Sequence, residues 1–172
     1  MSTLTQTLSL DSSLPSGGWT LYFHPAKEIR WHIDTFRVVA KMKTFRDLGN
    51  VFAAFTPSDW IRGKFFFCPD GTLPLMENAK NIRGGSYSFL VDRANAGPIY
   101  KKYILAAILG KIFLKEGDQI SCVRITPRRD YNILQVWNRD CQKFNLPEGL
   151  AILDAGILSS AVKYVPHVEK KI

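Results

Sequence analysis

Cysteine is scarce in this chain. Cys68, Cys122 and Cys141 are the only three, and none stands in a CxxC pair. An odd, scattered set excludes a disulfide framework and the usual zinc spacings, and it points to a reducing compartment. Histidine is as sparse: His24, His32 and His167 form no ligand pattern, so neither metal nor cofactor is expected. No apolar run reaches about 18 residues, which argues against a membrane span. Met1 to Gly18 carries no Lys or Arg, which argues against a secretory or transit segment and reads as a flexible arm over residues 1–17. The expected setting is cytoplasmic. The P-loop, GxSxG, HExxH and glycine-rich dinucleotide motifs are all missing, so a binding protein is expected and not an enzyme. Acidic residues are in the minority, 15 against 23 Lys and Arg, for a net charge of +8. Such a surface favours nucleic acid, nucleotides or acidic lipid, or serves only solubility.

What is present builds a core. The chain has 172 residues, 46% of them hydrophobic, enough for a single domain over residues 18–172. Alternation predicts strands over Trp19–His24, Thr35–Met42, Lys64–Cys68, Ser86–Val91, Gln119–Ile125 and Asn132–Asn138, with an edge strand over Val162–Val168. Thr44 reads as a helix N-cap before Phe45, Leu48, Val51, Phe52 and Phe55, and Pro57 stops that helix. A second helix opens near Pro98 and carries apolar residues from Tyr100 to Ile112 at helical spacing. Leu146–Ser160 reads as a third, weakened by Gly149 and Gly156. Helices separated by strand pairs predict an α+β fold, an antiparallel sheet backed by helices on one face.

The long loop from Thr72 to Gly85 holds Pro74-Leu75-Met76-Glu77, which strand packing alone does not require. Tryptophan, carboxylate and arginine suit a purine methylated at N7. The indole face of Trp31 attracts a ring cation, by about 0.5–2 kcal/mol. The carboxylate of Glu77 accepts from both donors on a guanine edge and disfavours adenine. Met76 offers a second wall through its thioether, or fills a gap in the core. Arg128 and Arg129 offer a fork to phosphates, and Arg124 and Lys163 extend a basic rim.

Asp70-Gly71, Pro74, Glu77, Lys80-Asn81 and Arg83-Gly84-Gly85 together resemble the central signature of the translation initiation factor 4E family, the messenger-RNA cap-binding proteins. The opening Trp19-Thr20-Leu21-Tyr22-Phe23 resembles that family's first strand. The resemblance covers roughly residues 17–140. It implies a curved antiparallel sheet, about three helices on the convex back, and a 7-methylguanosine cap in the concave face. Trp31 then falls at the first stacking position, Trp137 at the residue touching the methyl group, and Arg128 at the phosphate-binding arginine. Met76 stands where the family has its second stacking tryptophan, leaving an aliphatic wall or a place for Trp60 to swing in. On the dorsal side, Gly49 stands where the family has its partner-binding tryptophan, with Phe45, Leu48 and Lys102 as the remaining contacts. A factor 4G-like scaffold would then engage by a non-standard dorsal contact. The compact chain looks similar to protozoan, especially trypanosomatid, paralogues, whose caps carry extra methylations. The expected function is cap binding in translation initiation. The alternatives are a non-catalytic assembly or repressor module with weakened cap binding, and a general single-strand RNA binder.

Overall fold

Strand alternation divides the apolar residues between two faces of one sheet. The computed structural model describes residues 9–168. Its strands are β1 (Trp19–Pro25), β2 (Arg37–Met42), β3 (Gly63–Pro69), β4 (Gly85–Asp92), β5 (Ile120–Pro127), β6 (Tyr131–Asn138) and β7 (Lys163–Pro166). They form a seven-stranded sheet in the order β2-β1-β3-β5-β6-β4-β7. Each neighbouring pair runs antiparallel. The sheet is curved, as expected for a twisted sheet of this size.

Two α-helices occur among the described residues, α1 (Phe45–Ala54) and α2 (Ala96–Ile108). The main core lies between them and one sheet face, where Phe65, Phe67, Phe89, Val123 and Leu134 meet Tyr100, Tyr103 and Ile104 of α2. Thr44 and Asp47 form a capping box at the start of α1: the Asp47 N–H donates to Thr44 Oγ1 (3.2 Å) and the Thr44 N–H to Asp47 Oδ2 (2.9 Å). The second helix stops at Ile108, four residues before the expected end. Gly110 takes φ +66°, and the Lys111 and Gly110 amides donate to the carbonyls of Ala106 and Ala107. That is a Schellman closure, for which a residue without Cβ is favoured.

The third predicted helix, Leu146–Ser160, does not form. Only single 3₁₀ turns occur there, Pro147–Gly149 and Ser159–Ala161. The backbone finds partners elsewhere: Leu114 N–H donates to Gly149 O, Ala151 N–H to Ile112 O, and Tyr103 Oη to Ala151 O. Long-range pairing satisfies the same backbone groups that a weak helix would have used.

Residues 9–17, read as the end of an arm, lie against α1. Leu14 is buried, its N–H donates to Lys43 O, and Asp11 pairs with Arg46 at 2.6 Å. The expectation for residues 1–8 falls outside the described residues. Trp60 is buried on the helix side, stacked on Phe55 and against Phe65 and Tyr100, so it does not reach the opposite face.

A polar cluster ties β4, β6 and β7 together below the sheet. Tyr87 Oη donates to Asp118 Oδ2 (3.0 Å), Asn138 Nδ2 to the same oxygen (3.3 Å), and Tyr164 Oη to Asn138 Oδ1 (2.8 Å). Burial pushes the Asp118 carboxyl up to about 6, against the pull of Tyr87 and Asn138. A carboxyl raised on folding holds its proton more tightly in the native state. Its contribution is therefore full below the unfolded value and is lost as pH rises through about 6. Because the group is only half-buried, the expected effect is on the order of 1 kcal/mol. Denaturant titrations at pH 5 and 7.5 should show wild type losing that much more stability than Asp118→Asn; parallel losses would refute the assignment.

Candidate functional site

The sheet face away from the helices carries a smaller apolar cluster, Phe36, Phe66, Cys68, Cys122 and Trp137, with Leu75 and Met76 packed against it. Above it opens a cavity of about 280 Å³ lined by Trp31, Pro74, Leu75, Met76, Glu77, Arg124 and Trp137. These residues come from the β1–β2 connector, the β3–β4 loop, β5 and β6, so strand order alone brings them together.

Trp31 projects from the β1–β2 connector and is 45% exposed. His24, in β1, stacks against its ring at 4.6 Å and 3°. Lys64 Nζ lies 4.8 Å and Arg124 Cζ 5.3 Å from the ring centroid of Trp31. The indole therefore already attracts cations in the free protein.

The β3–β4 loop is held by one buried residue. Asn81 Nδ2 donates to Leu73 O and Leu75 O, each at 2.7 Å. Ser121 Oγ donates to Asn81 Oδ1, and His167 Nδ1 lies 2.7 Å from Asn81 O. These bonds shape the backbone immediately before Met76 and Glu77. Met76 is half-buried, whereas Glu77 is exposed and makes no ion pair among the described residues.

Register settles which arginine belongs to the cavity. Arg124 pairs with Phe66 on β3 and Gln135 on β6, on the same face as Cys122, itself opposite Trp137. Burial, with the Arg128 charge adding to it, draws the Arg124 pKa down to about 10, which leaves it charged at neutral pH. Its Nε is buried without a hydrogen-bond partner among the described residues, as is Trp137 Nε1. Arg128 and Arg129 instead occupy the exposed β5–β6 turn, where Arg93 Nη2 donates to both their carbonyls, and neither lines the cavity. Arg128 is still close enough to matter. Burial, then Arg124 and Arg128, lower the pKa of Lys64. Lys64, Arg124 and Arg128 thus form a group of cations that makes no ion pair among the described residues, an arrangement suited to a phosphate chain.

Sequence reading passed over three residues of this site: Lys64, His24 and the buried hub Asn81. The first two carried a signal, since alternation along β1 and β3 places His24 and Lys64 on one face as partners. The hub role of Asn81 had none beyond its place in the motif.

On the dorsal side, Leu48 is the buried residue of α1 and faces the core. Phe45 is half-buried, Gly49 is exposed with open space where a Cβ would stand, and Lys102 pairs with Asp154 at 2.8 Å. No helix among the described residues is long and apolar enough to cross a membrane.

Comparison with known proteins places this architecture. Eukaryotic translation initiation factor 4E-2 of Schizosaccharomyces pombe is 22% identical over 159 residues, covering 87% of this chain and 65% of that relative. The chain thus spans just under two thirds of the relative's length. Ascaris suum eIF4E-3, solved with an m7G cap, superposes with a TM-score of 0.62 at 21% identity, over 76% of this chain and 74% of that one. Caenorhabditis elegans eIF4E-3, solved with the 4E-binding protein Mextli and a cap analog, superposes with a TM-score of 0.72 at 19% identity, over 90% and 92%. At these identities the superpositions establish the shared fold. The sequence profile described as eukaryotic initiation factor 4E matches residues 16–167, nearly the whole chain, and this protein belongs to that family.

Proposed function

We propose that this protein binds the 7-methylguanosine cap of messenger RNA without catalysing a reaction on it, with residues 18–172 acting as one cap-binding unit. One observation carries the reading: a single cavity gathers an exposed indole, a free carboxylate, a thioether and a largely buried guanidinium. In this reading Trp31 stacks the cationic base, Glu77 accepts from the guanine edge, and Met76 forms the opposite wall. Trp137 meets the methyl group. Arg124 takes the first phosphates, and Lys64 with the turn residues Arg128 and Arg129 takes those beyond. The buried donors on Arg124 and Trp137, unpartnered among the described residues, favour a ligand rich in acceptors, because an unpaired buried donor costs about 1–3 kcal/mol. A flexible thioether in place of a flat ring also accommodates a cap with additional methyl groups.

A protein partner is proposed on the dorsal face, where α1 offers Phe45 beside an empty surface at Gly49. A glycine cannot clamp an apolar anchor as an indole does, so a scaffold or 4E-binding protein would engage mainly through neighbouring contacts.

Titration with 7-methylguanosine triphosphate, followed by tryptophan fluorescence, tests the function. Saturable quenching is expected, with unmethylated GTP at least about tenfold weaker because it lacks the ring charge. No quenching at millimolar ligand would leave the assembly role. Equal binding of capped and uncapped RNA with steep salt dependence would instead indicate a general single-strand binder.

A further inference from the structure

His24 is fully buried behind the exposed indole of Trp31, nearly parallel to it at 4.6 Å, with Phe36 tilted against its ring at the same distance. Its Nε2 lies 3.0 Å from Arg30 O. A carbonyl only accepts, so Nε2 carries the hydrogen and Nδ1 is the bare nitrogen. Nδ1 is buried with no partner among the described residues. A second proton would therefore land where nothing receives its hydrogen bond.

The charges around the ring oppose that proton as well. Lys64 faces it from β3, as its cross-strand partner, and Arg124 from β5. Glu28 and Arg30 approach from the β1–β2 connector, but they are paired with each other at 3.2 Å. Burial, then Lys64 and Arg124, lower the His24 pKa, against the raising effect of the Arg30 carbonyl and of Glu28. The imidazole is thus neutral near pH 7.

We propose that His24 is a positioning residue: as a neutral ring it holds Trp31 as the stacking platform, and on protonation it weakens the hold on a cationic base. This rests on the cap-binding reading. A base stacked on the outer face of Trp31 would place its charge about 8 Å from the imidazole, a ring separation beyond the indole. Two like charges at that distance in a partly dry site repel enough to lower affinity about tenfold. The coupling is reciprocal, so a bound cationic base makes His24 harder to protonate. The His24 contribution to affinity should rise with pH through the His24 transition and level off above it.

The test compares the binding of 7-methylguanosine monophosphate by wild type, His24→Phe and His24→Ala at about pH 5 and pH 7. Titration of the ligand, and of every group other than His24, is common to all three proteins and cancels in the ratios. Wild-type affinity is expected to fall about tenfold more than that of His24→Phe between the two pH values. The phenylalanine variant should bind within about threefold of wild type at pH 7, while the alanine variant is weaker at both. Parallel pH profiles for wild type and His24→Phe would overturn the inference and leave cap binding intact. Absence of wild-type binding at pH 7 would overturn both. NMR titration of the His24 imidazole in the wild-type protein is a second measurement that needs no variant. Its midpoint should move to lower pH when ligand is added, and an unmoved midpoint refutes the coupling.

Discussion

Glu77→Ala is expected to lower the affinity for 7-methylguanosine triphosphate about 100-fold, and Met76→Ala by no more than about tenfold. The carboxylate accepts two charge-assisted hydrogen bonds in the proposed complex. Its loss leaves two base donors unpaired in a cavity, at about 3 kcal/mol together. Met76 supplies only packing. It is already half-buried against the apolar cluster that includes Phe66 and Trp137, and cutting it back removes about 1 kcal/mol of contact. The two substitutions separate binding from folding. Glu77 is exposed and makes no ion pair among the described residues, so its removal should leave the melting temperature unchanged, whereas Met76→Ala should lower it slightly. Calorimetric titration of both variants decides the ranking, and equal or reversed losses would reject Glu77 as the reader of the base edge.

Asn81→Ala should destabilise the fold by about 3 kcal/mol and weaken cap binding with it. The buried amide satisfies the carbonyls of the half-buried Leu73 and Leu75 and accepts from the buried Ser121. Truncation leaves one buried hydroxyl and two partly buried carbonyls without their partner, each at about 1 kcal/mol. This is a large share of a domain stability of about 5–15 kcal/mol. The loop carrying Met76 and Glu77 then loses its template, so affinity falls even where the domain stays folded. Asn81→Asp is expected to be no milder, because a carboxylate would face two carbonyl oxygens. Urea denaturation measures the first effect and cap titration well below the transition measures the second. A destabilisation under about 0.5 kcal/mol would contradict the hub role.

Much of the architecture was legible from short-range patterns. Strand alternation located all seven strands to within a few residues, and Thr44 announced α1. The α+β arrangement, with helices on the back of an antiparallel sheet, followed from strand pairs separating the helices. The failure at Leu146–Ser160 has a specific cause. Helical spacing there was weak, and the backbone is satisfied by Ile112, Leu114 and Tyr103, which lie far away in the chain.

The site divides in the same way. Trp31, Met76, Glu77 and Trp137 were nameable from residue type and motif, and all four line the cavity. The assignment of arginines was not available from spacing. Arg128 stands nine residues before Trp137, yet the β5–β6 hairpin turns at that position and leaves its side chain outside the cavity. Arg124 is the arginine that register brings across from Phe66 and next to the strand of Trp137.

Periodicity, caps and turns are set by residues a few positions apart, so the chain alone was enough to define the elements, the fold class and the aromatic and acidic members of the pocket. Register between strands, the burial of Arg124, the stack of His24 behind Trp31 and the bonds that hold Asn81 depend on partners 6 to 86 residues apart. Such contacts form only once the sheet closes, and so the tertiary structure alone decided which cations face the cavity and what holds its walls in place.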